Sequence, residues 1–139
     1  MKLTVQISAL PDRNTSTGCV NGRSLAIDRC MSGGRTGEGA TYGELLCLAV
    51  GGGYADELLR EAERRRIRID RAHVTVEAEA ENGGRKTTNL AISVRVETSA
   101  DEHAIMELIE HTDRVSEVLR SLRLGTSVRL ADAELLPKR

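Results

Sequence analysis

Residues 42–66 carry the longest helical pattern in the chain, and three consecutive glycines, Gly51, Gly52 and Gly53, stand in the middle of it. Leu45, Leu46, Ala49 and Val50 before them, and Ala55, Leu58, Leu59 and Ala62 after them, repeat at helical spacing. Each glycine costs a helix about 1 kcal/mol relative to alanine, so the triplet costs about 3 kcal/mol. A helix that keeps it gains something there. Two gains fit: close backbone approach, with another helix packing across a flat surface, or the floor or kink of a ligand pocket. Thr41 followed by Glu44 forms a capping box at the start of this helix. Glu57 and Glu61 are placed to pair with Arg60, Arg64 and Arg65, and the run Arg64 to Arg66 complements the dipole at its end.

The flanking segments read as strands and shorter helices. Residues 2–9 alternate, with Leu3, Val5 and Ile7 on one face of a strand. Residues 11–22 are rich in turn formers and predict a turn or hairpin loop, residues 23–28 a short strand, and residues 32–39 a Gly-rich loop. Two alternating strands follow the long helix. Residues 73–81 point Val74, Val76, Ala78 and Ala80 inward, and residues 89–98 point Leu90, Ile92, Val94 and Val96 inward. Asn82-Gly83-Gly84 between them is a hairpin signal. Ser99 with Glu102 predicts another capping box, opening a helix whose apolar face is Ala104, Ile105, Leu108 and Ile109. Val115, Val118, Leu119 and Leu122 predict a third helix stopped near Gly125, and residues 126–130 a last strand. This unequal grouping predicts a single α+β domain over residues 1–139 rather than a doubly wound sheet.

Composition excludes several functions. Of 139 residues only Tyr42 and Tyr54 are aromatic, so the core must be built from Leu, Val, Ile and Ala, and stacking platforms for nucleic acid are lacking. A formal net charge of −1 supplies no field for nucleic acid or membrane. The longest low-polarity stretch, residues 45–55, is too short to span a bilayer. With no apolar signal region the expected location is cytoplasmic. Cys19, Cys30 and Cys47 show no CxxC spacing and are expected as free thiols. His103, Glu107 and His111 share one helix stripe, but it lies on the polar side and reads as a solvated face. No metal and no cofactor is expected. The glycines before the long helix form neither GxxxxGK[ST] nor GxGxxG, so no nucleotide site is expected.

Gly33-Gly34, then Gly43-Glu44-Leu45-Leu46-Cys47-Leu48-Ala49-Val50-Gly51-Gly52-Gly53, resembles the OsmC/Ohr family of hydroperoxide reductases. There a Gly-rich loop precedes a helix reading approximately P-E-L-L-L-A-A-L-G-S-C. The strand Ser24-Leu25-Ala26-Ile27-Asp28, the helix end at Ile67-Arg68-Ile69 and the strand Val74 to Glu79 are also similar, so the resemblance covers about residues 20 to 130. It implies an α+β, OsmC-like fold, with antiparallel sheets packed on a long central helix. It also implies an intertwined homodimer, with the long helices at its centre and the pockets at the subunit interface.

Both family thiols are replaced. The reactive cysteine falls on Gly53, and the second, from a C-P-x-S segment, falls on Asp113, leaving Ser116 from the segment Asp113-Arg114-Val115-Ser116. Gly43 stands where the family has a proline. Peroxide reduction by this route needs a thiolate to attack the O–O bond and a partner thiol to resolve the sulfenic acid. Glycine has no side chain, and aspartate is a poor nucleophile toward peroxide oxygen. Cys47 lies six residues before Gly53, about 9 Å along the axis and about 240° around it, so it does not occupy the same place. It reads as a small core residue.

The resemblance therefore implies a degenerate homodimer that is not a peroxidase and has no catalytic residue. It would bind a small, partly apolar ligand in the inherited pocket or serve as an interaction module. The pocket candidates are Glu44, Gly53, Tyr54, Asp113, Arg114 and Ser116. Glu44 matches the family's acidic position, which pairs with an arginine, and Arg13 and Arg23 are the possible partners. The alternative is a divergent hydroperoxide reductase using Cys47, Cys19 or Cys30.

Overall fold

The computed structural model describes residues 1–31, 34–84 and 86–137. Its first sheet has the order β1-β2-β3-β4, from β1 (Gln6–Ser8), β2 (Thr15–Val20), β3 (Arg23–Asp28) and β4 (Ala40–Thr41). The first three strands are antiparallel, and β4 runs parallel to β3. Next come α1 (Tyr42–Arg64) and the antiparallel pair β5 (Arg71–Glu81) and β6 (Lys86–Glu97). Helices α2 (Glu102–Val115) and α3 (Glu117–Leu124) complete the fold. The expected α+β class holds.

Helix α1 organises the rest because two of its faces are occupied. Val50, Tyr54, Leu58 and Ala62 point one way and are buried with Ile105 and Leu108 of α2 and Leu119 of α3. Gly51 lies toward the sheet side of this face: a Cβ added there would lie 3.0 Å from Val76 Cγ2 and 3.8 Å from Val74 Cγ1 of β5. At Gly51 the close neighbour is thus a strand, where the sequence led us to expect another helix; the helix, α3, makes its close approach at Gly53 through Val118. Glu61, its side chain 7% exposed, accepts from Arg64 on its own helix and lies 3.2 Å from His111 Nε2, joining α1 to α2. Arg60 pairs with Asp56 instead of a glutamate.

The Thr41 capping box forms as expected: Thr41 Oγ1 accepts from Glu44 N at 3.0 Å, and Glu44 Oε1 accepts from Thr41 N at 2.9 Å. The hairpin turn also forms, with Asn82, Gly83 and Gly84 all at positive φ. Val74, Val76, Leu90, Ile92, Val94 and Val96 pack against the core, whereas Ala80 is exposed. Beyond Glu77 the ladder slips by one residue, and Asn89, at φ 55°, sits in the bulge with Nδ2 donating to Glu79 Oε2 at 2.9 Å.

Four expectations fail. Residues 15–20, expected as loop, form β2, whose inward residues are Ser16 and Gly18; with no apolar side chain facing in, alternation gives no signal. The first strand is three residues long, leaving Leu3 and Val5 outside it and exposed. Asp101, not Ser99, caps α2, its carboxylate accepting from Ala104 N at 3.3 Å. Residues 126–130 form no strand, and Val128 and Leu130 stand exposed. No helix among the described residues is long and apolar enough to cross a membrane.

Candidate functional site

The polar part of the site is built by two carboxylates. Asp28, at the end of β3 and fully buried, accepts from Cys30 N (2.8 Å), Thr36 N (2.7 Å), Thr36 Oγ1 (3.1 Å) and Gly37 N (2.8 Å). The Cys30 amide, with help from Gly37 and Thr36, lowers its carboxyl pKa although burial opposes the shift. These bonds shape the segment that carries Arg35. Arg35 then forks onto Glu44, with Nη1 to Oε2 at 3.0 Å and Nη2 to Oε1 at 2.8 Å. The Thr41 amide first, then Arg35, lowers the Glu44 pKa. Glu44's partner is therefore neither Arg13 nor Arg23. Arg13 lies in a different role, its carbonyl accepting from Arg29 at 2.9 Å. No spacing rule points to Arg35, which stands nine residues before Glu44 and reaches it because Asp28 holds the Thr36 and Gly37 amides.

Beside this ion pair lies a cleft of about 1210 Å³ between α1 and β5. Cys47, Leu48 and Gly51 form its helix wall, Val74 and Val76 its strand wall, and Cys30 also borders it. Cys47 is half-buried; Cys30 is 2% exposed, with its sulfur 3.2 Å from where a Cβ on Gly84 would stand. The cleft thus offers an aliphatic trough bordered by the Arg35–Glu44 pair and by Glu77 and Glu79 of β5. Such a trough suits a ligand with an apolar body and a polar tip.

The candidate residues divide between two places. Glu44 and Cys47 face this cleft. Gly53, Tyr54, Asp113 and Ser116 gather at the junction of α1, α2 and α3. A Cβ on Gly53 would stand 2.6 Å from Val118 Cγ1 and 3.1 Å from Val118 Cβ. Tyr54 is buried and donates to the Ile109 carbonyl at 3.2 Å. Burial first, then the Asp113 charge, pushes its phenol up to about 12. Asp113 is no helix cap: it lies in the last turn of α2, and its carboxylate accepts from Arg123 Nη2 at 2.7 Å. Ser116 is the residue between α2 and α3, 1% exposed, its Oγ without a partner among the described residues. Arg114 is exposed. On α1, nine residues separate Glu44 from Gly53, about 13.5 Å and about half a turn around the axis, so the two groups occupy opposite faces.

His103 pairs with Glu107 at 3.3 Å while His111 turns to Glu61. Among the described residues no group of three potential ligands is placed to hold a metal.

The architecture matches solved structures of known family. An OsmC-like protein from Mycoplasma pneumoniae superimposes with a TM-score of 0.75 at 13% identity, covering 88% of each chain. The organic hydroperoxide resistance protein OsmC from Legionella pneumophila gives 0.64 at 12% identity, covering 88% of this chain and 90% of that one. OhrB of Bacillus subtilis, an organic hydroperoxide resistance protein, gives 0.62 at 13%, covering 88% and 91%. At such identities the likeness establishes the fold alone. No curated protein sequence matches this chain. The sequence profile described as OsmC-like protein matches residues 35–131, more than half of the chain. The chain belongs to the OsmC-like protein family.

Proposed function

We propose that this chain is a family member without thiol peroxidase chemistry at the Gly53 position, working as a homodimer that binds a small, partly apolar ligand. The observation that carries the first half is Gly53: it offers no nucleophile, and Val118 fills the space a side chain would need. The cleft supports the second half, with aliphatic walls from Leu48, Val74 and Val76 and a polar end at Arg35 and Glu44. The homodimer reading draws on α1, where Leu48 is 67% exposed and Gly52 has nothing within 4 Å of the place a Cβ would take. A second copy packing its own α1 there would bury this face and roof the cleft.

The test of ligand binding is titration with a neutral apolar dye. Ala55→Leu fills the cleft from its helix wall and should weaken binding at least about tenfold, the equivalent of two buried methylenes. Equal affinity for parent and variant would place the dye elsewhere and defeat the reading. Light scattering on the eluting protein should give a dimer mass at micromolar concentration, and a monomer alone would defeat that part.

A second reading, a divergent hydroperoxide reductase, is favoured by one observation: Cys30 and Cys47 border the same cleft. Against it, Cys30 is almost wholly shielded.

A further inference from the structure

The first sheet has two unlike faces. Its register sets Ile7, Gly18 and Leu25 in one row across β1, β2 and β3, with Ser16 beside Ile27 and Val20 beside Arg23 on the same side. The opposite side carries Gln6, Ser8, Thr17 and Ser24. Gly18 lets its neighbours close over the middle strand: a Cβ there would stand 3.2 Å from Ile27 Cδ1 and 3.6 Å from Leu25 Cδ2. An antiparallel sheet of this kind buries its apolar face on a core. Here it does not. The core around α1 takes its apolar side chains from the three helices, β5, β6 and the turns beside them, and none from β1, β2 or β3. The helices pack chiefly on β4, β5, β6 and one another. Ile7 is 59% exposed, and Val20 and Leu25 are exposed with it.

The uncovered area is large. The chain exposes 10934 Å², whereas a compact chain of its 15.1 kDa exposes about 7,100 Å². Residues 1–5 and 125–137, exposed throughout, hold part of the excess of about 3,800 Å². A standard interface needs only about 800 Å² from each partner. Strand β4 runs directly into α1, so the sheet is held beside Tyr42, Leu46 and Leu48, the exposed apolar residues early in that helix. We propose that the Ile7–Leu25 face of the first sheet is an interface for a second copy of this chain, an inference that deepens the homodimer reading above and rests on it. Two features favour a second copy as the occupant. The face carries no charge except Arg23 at its end, and interfaces between copies of one chain are the more apolar ones. A second copy also presents the same exposed α1 residues, so a two-fold pairing that joins the helices brings its own apolar surface beside the sheet.

The experiment follows the mass of the full chain by light scattering across a dilution series. Ile7→Glu with Leu25→Glu charges the apolar face, and Thr17→Glu charges the polar face of the same sheet at an exposed position. The double variant should raise the dimer dissociation constant at least about tenfold, the loss expected from even one buried side chain of this size. Thr17→Glu should leave the constant unchanged. Equal constants for the parent and the double variant overturn the proposal, and so does equal weakening by Thr17→Glu. Leu48→Glu on α1 separates the sheet interface from the homodimer reading. A dimer weakened by Leu48→Glu but untouched by the double variant sinks the sheet interface and leaves the homodimer. A parent chain that is monomeric throughout sinks both. Should the double variant unfold, a single Trp decides, because the chain has none of its own. Within the dimer, Leu25→Trp should emit as an indole shielded from water and Thr17→Trp as a solvated one. Solvated emission from both overturns the proposal. Shielded emission of Leu25→Trp from a monomer also overturns it, since the cover then lies within the chain itself.

Discussion

Alanine substitution through Gly51, Gly52 and Gly53 separates intrinsic helix cost from packing at adjacent positions. A glycine in a helix interior costs about 1 kcal/mol relative to alanine. At Gly52 nothing in the same chain lies within 4 Å of the new methyl, so at concentrations below those at which a second copy packs there Gly52→Ala should recover that amount and stabilise the chain by about 1 kcal/mol. At Gly53 the same gain is opposed by Val118, whose Cγ1 and Cβ would stand 2.6 and 3.1 Å from the methyl. Valine is stiff at χ1, so this neighbour yields only if α3 shifts. Overpacking of this kind costs about 1–3 kcal/mol. Gly53→Ala should therefore be neutral to destabilising, by up to about 2 kcal/mol. Gly51→Ala falls between, because the end of a single side chain, Val76 Cγ2 at 3.0 Å, has to yield. Urea unfolding at neutral pH reads all three from their midpoints. Val118→Ala should remove the penalty at Gly53, with a coupling of about 1–3 kcal/mol in the double-mutant cycle. Stabilisation of Gly53→Ala equal to that of Gly52→Ala would refute the claim that Val118 closes this site.

Three further outcomes follow from the charges and the buried phenol. The folded-state pKa values of Asp28 and Glu44 lie below the ordinary 3.8 and 4.5, so their stabilisation is complete above those values and lost as pH falls through the lowered ones. Asp28→Asn and Glu44→Gln should each flatten the acid limb of a stability–pH profile from urea unfolding, and an unchanged slope would contradict the hydrogen-bond assignments. Tyr54 titrates in the opposite sense: its pKa is raised to about 12, so its contribution is complete below the ordinary 10.0 and lost as pH climbs toward 12. Tyr54→Phe should cost about 0.5–1.5 kcal/mol for the bond to the Ile109 carbonyl, measured by urea unfolding at pH 7. Arg35→Ala should leave stability nearly unchanged, because the pair is half-exposed, while altering dye affinity at the cleft.

The long helix, its capping box and the β5–β6 hairpin were legible because each depends on side chains a few residues apart. Thr41 needs only Glu44, and the turn needs only Asn82-Gly83-Gly84. Strand β2 was not legible, since its inward positions are Ser16 and Gly18 and its partner pairing is set by β3. The α2 start was displaced by two residues because Thr98 binds the segment before it, accepting from Ala100 N and donating to the Arg68 carbonyl. Within the site, Glu44 could be read from its capping-box spacing to Thr41, and the glycine in place of a cysteine at Gly53 was implied by the family resemblance. Arg35 could not, because its reach depends on how buried Asp28 folds the segment through Thr36 and Gly37. Helix spacing does separate Gly53 from Glu44, nine residues and half a turn apart, but it does not say that α3 closes on Gly53 while the cleft lies beside Glu44.

The proposal that this chain has no peroxidase chemistry is tested most directly by hydroperoxide consumption in the presence of a dithiol reductant. The parent chain and the Cys19→Ser/Cys30→Ser/Cys47→Ser variant are compared at equal concentration. If Gly53 and Asp113 stand where the resemblance puts the family's cysteines, the two should consume peroxide at the same rate, equal to that of the reductant alone. Turnover by the parent chain that the triple substitution abolishes would contradict the account.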